Sequence, residues 1–145
     1  MNFIDALQAS ASGLSTQRYR MNLISSNLAN LHTTRTPEGG PYRRKEMVIA
    51  ARPQGDAFEQ ILQRESARHL TDVEIVSVVN DTRPPRLKYN PHHPDADEKG
   101  FVAMPNINLV EEMANLMSAA RSYEANVTAA NATKKMALKA LQIGE

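Results

Sequence analysis

NINLVEEMANLMSAARSYEANVTAANATKKMALKAL, residues 106–141, decides how the rest of the chain is read. Counting by threes and fours from Leu109 gives Leu109, Met113, Leu116, Ala120, Tyr123, Val127, Ala130, Lys134, Ala137 and Leu141, a spacing that only Lys134 breaks. Proline and glycine are absent, and Val110, Met117 and Leu138 widen the apolar row, so the pattern predicts one long amphipathic helix. At about 1.5 Å per residue it spans roughly 50 Å. A helix of that length needs a partner along its flank.

Both ends of this helix are marked. Asn108 followed by Glu111 reads as an N-cap with its third-position carboxylate, and Glu111 with Glu112 complements the positive end of the helix dipole. Lys134, Lys135 and Lys139 lie toward the negative end, and Gly144 follows as a stop. The face away from the stripe holds Asn115, Ser118, Ala119, Ser122, Asn126, Thr128, Ala129, Asn131, Ala132 and Thr133, with Arg121 and Glu124 the only charges between Met113 and Thr133. A solvated helix face is normally laced with Lys and Glu. Small and amide residues there predict that other protein packs on this face too, with Asn126 a representative contact.

Residues 1–31 form the second organising element. Leu7, Leu14, Met21 and Leu28 recur every seven residues, and Phe3, Ser10, Gln17, Ile24 and Leu31 fill the companion position. Gly13 costs about 1 kcal/mol against alanine, so this helix is marginal alone. It lacks the basic start and continuous apolar stretch of a secretory signal, and a cleaved signal is not expected. Its outer face again avoids charge, with Asn22 and Ser26 among the exposed candidates for contact with neighbours. Two long helices of this kind can pair with each other and still offer surface outward.

The segment between them reads differently. Pro37, Gly39, Gly40 and Pro41 predict an extended loop over 32–44. Glu46–Arg52 and Asp72–Asp81 read as strands, Phe58–Arg64 fits either a strand or two turns of helix, and Pro84 and Pro85 confine 82–90 to an edge or a connection. The expected fold class is therefore mainly α with a small β segment of short strands in one sheet. The domain division is 1–31 with 107–145 as a discontinuous helical unit, and 32–106 as a loop and β-containing middle.

Composition removes several function classes. Seventeen basic against sixteen acidic residues give a net charge of +1 and no electrostatic basis for binding nucleic acid. Cysteine is absent, which excludes disulfides and thiolate chemistry. No apolar run approaches the roughly 20 residues of a membrane span. The sequence YNPHHPDADEKG, residues 89–100, gathers His92, His93, Asp95, Asp97 and Glu98, but as a calcium loop from Asp95 it places Lys99 at the fifth position and Asn106 where a bidentate Glu belongs. A hydrogen-bonded Asx-type loop is the expectation, with no metal, cofactor or catalytic residue. Arg43, Arg44 and Lys45 after Gly39 and Gly40 match no phosphate-binding motif and read as a solvated or salt-bridged surface.

SSNLAN (25–30), TTRT, GGPYRRKE (39–46), HPDAD (93–97), GFVAMPNINLVEEM (100–113), RSYEANV (121–127) and the ending ALKALQIG together resemble the flagellar rod and hook protein family, and within it the proximal-rod subunits. These words cover both termini and the loop before the last helix; Leu31-His32 departs from the smaller or polar pair expected after SSNLAN. The resemblance implies a non-enzymatic structural subunit of the bacterial flagellar basal body, exported without a cleaved signal and polymerised across the periplasm into the shaft that transmits motor torque. It implies terminal helices paired as an antiparallel coiled coil. The implied partners are other rod subunits of the FlgB, FlgF and FlgG kinds and a FliE-like junction with the export gate and MS ring, with neither nucleic acid nor membrane insertion. On this reading Leu7, Leu14, Met21, Leu28, Met113, Leu116, Met117, Ala120, Tyr123 and Val127 form the seam, Asn22, Ser26 and Asn126 meet neighbouring subunits, and ordering of the termini is tied to assembly. The alternative is a non-flagellar coiled-coil adaptor, which would need charged outer positions.

Overall fold

In the computed structural model, residues 3–53 and 71–143 are described. In chain order the elements are helix α1 (Phe3–Ala29), strands β1 (Lys45–Pro53), β2 (Thr71–Asn80), β3 (Arg86–Tyr89) and β4 (Phe101–Met104), and helix α2 (Leu109–Ile143). The ambiguous stretch Phe58–Arg64 lies outside the described residues.

Helix α2 begins where the sequence caps it. The Asn108 side chain accepts a hydrogen bond from the Val110 backbone N–H at 3.1 Å, and the Asn108 carbonyl accepts the Glu112 N–H at 3.0 Å. Helix α1 ends in a turn held by Asn30, which donates from Nδ2 to the Ser26 carbonyl and accepts from the Thr33 hydroxyl. The loop that follows closes on itself through Tyr42 N–H to Thr33 O and Thr36 N–H to Gly40 O.

The strands form two separate antiparallel ribbons, β1–β2 and β3–β4, in place of the single small sheet expected from the sequence. In the long ribbon Val48 pairs with Ser77 and Ile49 with Ile75, so Val76 is an extra residue that bulges outward. The bulge keeps Met47, Ile49, Val78 and Ile75 on one face, and the ribbon packs along α1. Val73 N–H donates to the Ser12 hydroxyl at 3.3 Å and Gln8 Nε2 donates to Asp72 at 3.1 Å, fixing the start of β2 to α1. In the short ribbon Tyr89 meets Phe101 edge to face, with ring centroids 5.3 Å apart. Gly100 precedes it at φ 79°, where a Cβ would meet the Tyr89 ring at 2.9 Å, so both backbone and space require glycine there.

Helix α1 thus lies between α2 on one side and the β1–β2 ribbon on the other. Among the described residues the buried apolar side chains are only Ile24, Met47, Val102, Pro105, Ile107 and Ala119, while many large ones remain exposed. Such a thin core leaves much apolar surface for association.

Candidate assembly surface and the clasp beneath it

Two of the most deeply buried side chains among the described residues are polar. Asn27, in the SSNLAN sequence on the last turns of α1, is 1 % exposed. Its amide pairs with the backbone of Lys45 like one rung of a ladder, donating from Nδ2 to the carbonyl at 2.9 Å and accepting on Oδ1 from the N–H at 2.9 Å. Oδ1 also accepts from the Tyr42 hydroxyl at 3.1 Å, and Nδ2 donates to Glu112 at 3.1 Å. Every donor and acceptor of the amide is used, which is the condition under which a buried polar network stabilises.

Glu112, on the first turn of α2, is 1 % exposed. Its other carboxylate oxygen accepts from Arg44 Nε at 2.7 Å. Burial alone would lower the pKa of Arg44, but the hydrogen bond and charge of Glu112, with Glu46 behind it, hold it above its ordinary value. Arg44 is anchored in turn, its carbonyl accepting from Asp81 N–H at 2.8 Å. One cluster therefore clasps α1, β1 and α2 together.

A second contact fixes the helix pair. A Cβ built on Gly13 would lie 2.9 Å from Asn126 Nδ2, so α1 and α2 approach closely where Gly13 has no side chain. Gly13 to Asn27 and Asn126 to Glu112 are each two heptads, run in opposite directions. The helices are therefore antiparallel, and residue i of α1 is level with residue 139 − i of α2. Arg20 then lies level with Ala119, and Ala6 with Thr133.

This register corrects the expected seam. On α2 Glu112 and Asn126 meet α1 and Ala119 between them is buried, each one residue before the expected Met113, Val127 and Ala120; Leu116, Tyr123, Ala130 and Ala137 are half-buried. On α1 Gly13 and Asn27 make the contacts to α2 that are observed, one residue before the expected Leu14 and Leu28, while Leu7, Leu14, Met21 and Leu28 are half-buried. One residue is about 100° of helix, so both helices are rotated by part of a turn. The cause is that glycine and alanine allow close approach, and the clasp requires Asn27 and Glu112 to face each other. Bulk at Met113 and Met117 would hold the helices apart.

The consequences differ by residue. Asn126 is half-buried on Gly13, which corrects its placement on the outer face. Met113 and Met117, expected in the seam, are 51 % and 57 % exposed. Leu116, Ala120, Tyr123 and Val127 are half-buried, and Asn22 is exposed. Ser26 is half-buried, its hydroxyl 3.4 Å from that of Tyr42. Leu109, Val110, Met113 and Met117 together make an exposed apolar row on the first half of α2. In the 89–100 loop, Asp97 accepts from the N–H groups of Lys99 and Phe101, and Asp95 N–H donates to His93 Nδ1, so these side chains hold an Asx-type turn.

Sequence reading missed the clasp. Glu112 was explicable as a helix-dipole residue, Asn27 as part of an uncharged face and Arg44 as surface. The available signal was positional: Glu112 and Asn126 are spaced as one heptad row, as are Gly13 and Asn27.

Comparison with known proteins places these elements. Residues 7–35 match the family described as "Flagella basal body rod protein", and residues 98–143 match "Flagellar basal body rod FlgEFG protein C-terminal". The chain is 43 % identical to the flagellar basal-body rod protein FlgC of Bacillus subtilis, over all of both chains. Its identity to the protein of the same name from Borreliella burgdorferi is 41 %, covering 99 % of this chain and 98 % of the relative. For that of Escherichia coli O6:H1 it is 37 % over the full length of both. With α2 inside one matched region, most of α1 inside the other and the whole chain aligned to these relatives, the chain belongs to the FlgC family of flagellar basal-body rod proteins.

Proposed function

We infer that this chain is a structural subunit of the bacterial flagellar basal-body rod, and that it joins its neighbours through the faces its helix pair leaves uncovered. The observation that carries this is the exposed row Leu109, Val110, Met113 and Met117 on a helix already paired along another side. An apolar row outside the intramolecular seam is a second contact surface. Repeated between subunits without closing on itself, such a heterologous contact builds a helical stack.

The neighbours we propose are rod subunits of the FlgB, FlgF and FlgG kinds and a FliE-like protein at the base. Support comes from the region 98–143, which resembles the C-terminal region of FlgEFG proteins; adjoining subunits would then present similar helices to one another. Residues 1–31 and 107–145 act on this reading as the assembling unit and 32–106 as an outer part, with the subunit exported unprocessed and serving torque transmission, not catalysis. A self-contained coiled-coil adaptor would carry charge at Met113, Met117 and Asn22.

Met113→Glu and Met117→Glu test the reading. Both sites are more than half exposed, so the thermal midpoint of the isolated subunit should stay within a few degrees of wild type, as for most surface changes. Rod completion and swimming should be lost. Normal rods built from both variants would overturn the assignment of this row as an interface.

A further inference from the structure

On both helices of the antiparallel pair the close-contact positions repeat at heptad spacing, Ala6 and Gly13 on α1 and Ala119 and Asn126 on α2. If α2 slid so that residue i faced 132 − i, Gly13 would meet Ala119 and Ala6 would meet Asn126, a small residue in each of these two layers. Glu112 would then face Arg20. That arginine is half-buried in the seam, lines the groove shared by Ile24, Asn27, Arg44, Asn115 and Ser118, and has no ion-pair partner among the described residues. The seam thus holds a cation one heptad from the level that Glu112 occupies.

The heptad recurrence of small residues is met in both registers and does not by itself choose between them. What distinguishes them is a third element. Arg44 and the Lys45 backbone belong to the β1 end, and β2 is pinned to α1 through Ser12 and Gln8. Glu112 reaches Arg44 and Asn27 together only in the observed register. We propose that the Asn27–Arg44–Glu112 clasp is a register lock, which holds α2 against α1 in one of two heptad positions and thereby sets the height at which the outer row Leu109–Met117 is displayed. Asn27 and Arg44 are positioning residues for that surface.

The absence of cysteine makes the test direct. In the full chain, Ala6→Cys with Thr133→Cys reports the observed register, and Ala6→Cys with Asn126→Cys reports the slipped one. Both are oxidised in dilute solution and the intramolecular product is read on a non-reducing gel. With the clasp intact only the first pair should link. Arg44→Met leaves Glu112 without its cation, and the ratio of first to second product should fall by roughly tenfold or more, since removing one partner of a buried pair is strongly destabilising. Adding Arg20→Met should return the ratio toward wild type. If Arg44→Met does not fold, as judged by circular dichroism, paired charge exchanges decide. Arg20→Glu with Glu112→Arg should give the second crosslink, between positions 6 and 126, whereas Arg44→Glu with Glu112→Arg should give the first, between positions 6 and 133. The proposal is overturned if the folded Arg44→Met chain links only the first pair, if both pairs link equally whatever stands at position 20, or if the two exchanges give the same product.

Discussion

Arg44 Nε lies 2.7 Å from Glu112 Oε1, joining residues 68 positions apart in sequence. The carboxylate is almost wholly withdrawn from water, so truncating its partner strands a charge. Arg44→Ala should lower the unfolding free energy by about 3–5 kcal/mol in urea. Glu112→Gln leaves no buried charge and keeps one oxygen to accept from Arg44, but sets its amide NH2 against Asn27 Nδ2, and should lose about 1–3 kcal/mol. Equal losses from the two changes would show that the carboxylate charge is not what the arginine stabilises.

Gly13 faces Asn126 with no room between them. Gly13→Leu should therefore destabilise the subunit by about 1–3 kcal/mol through overpacking, despite leucine's better helix propensity. Asn126→Ala in the same chain should recover part of that loss, and a double-mutant cycle gives the coupling. Asn126→Glu should unfold the pair itself, whereas Asn22→Lys on the exposed side should leave the isolated subunit within about 0.5 kcal/mol of wild type. Similar melting curves for these two charge variants would contradict the register.

Gln17 Oε1 is buried without a hydrogen-bond partner, level with Ser122 and Tyr123 in the seam. An unsatisfied buried acceptor costs about 1–3 kcal/mol, and leucine occupies nearly the same volume. Gln17→Leu should raise the midpoint of thermal unfolding by several degrees, corresponding to about 1 kcal/mol.

Asp81 accepts from the Arg83 side chain at 2.7 Å and from its backbone N–H at 2.9 Å. The Arg83 side-chain bond, then the backbone bond, hold its pKa below the ordinary value. The folded state then binds this proton less tightly than the unfolded one. The stabilisation is complete above the ordinary carboxylate pKa, near 4, and is lost as pH falls through the depressed folded value. Asp81→Asn should flatten the acid limb of the stability profile while leaving its neutral plateau slightly lower. The effect is screened at high salt because Arg83 is exposed.

The existence of both helices, the Asn108 cap and the two longer strands were legible because each depends on local pattern: 3-4 apolar spacing, an Asn three residues before Glu111, and the Val48-Ile49 pair of β1 with the valines of β2. The rotation of the seam was not. Apolar residues compete for burial by size in a sequence reading, and Met113 and Met117 outrank Ala119 and Asn126 on that scale. Two helices approach most closely where side chains are least, so Gly13 and Ala119 decided the face. The separation of the strands into two ribbons was equally hidden, since short strands of similar pattern do not declare their partners. The clasp needed three segments to meet, and no single segment announces Asn27, Arg44 or Glu112 as anything but polar.

Asn27 and Glu112 are 85 residues apart in sequence, and the layers nearer the start of α1 join residues further apart still. Of the described elements the β1–β2 ribbon emerges first and can pack on α1, but the face of α1 that holds Gly13 is completed only by α2. During synthesis the side of α1 that meets α2 stays uncovered for the length of the intervening segment, on the order of ten seconds at ordinary elongation rates. A lone helix of this composition is marginal in water, so the apolar side of α1 is open for that interval, and its duration is set by the ribosome and not by the helix.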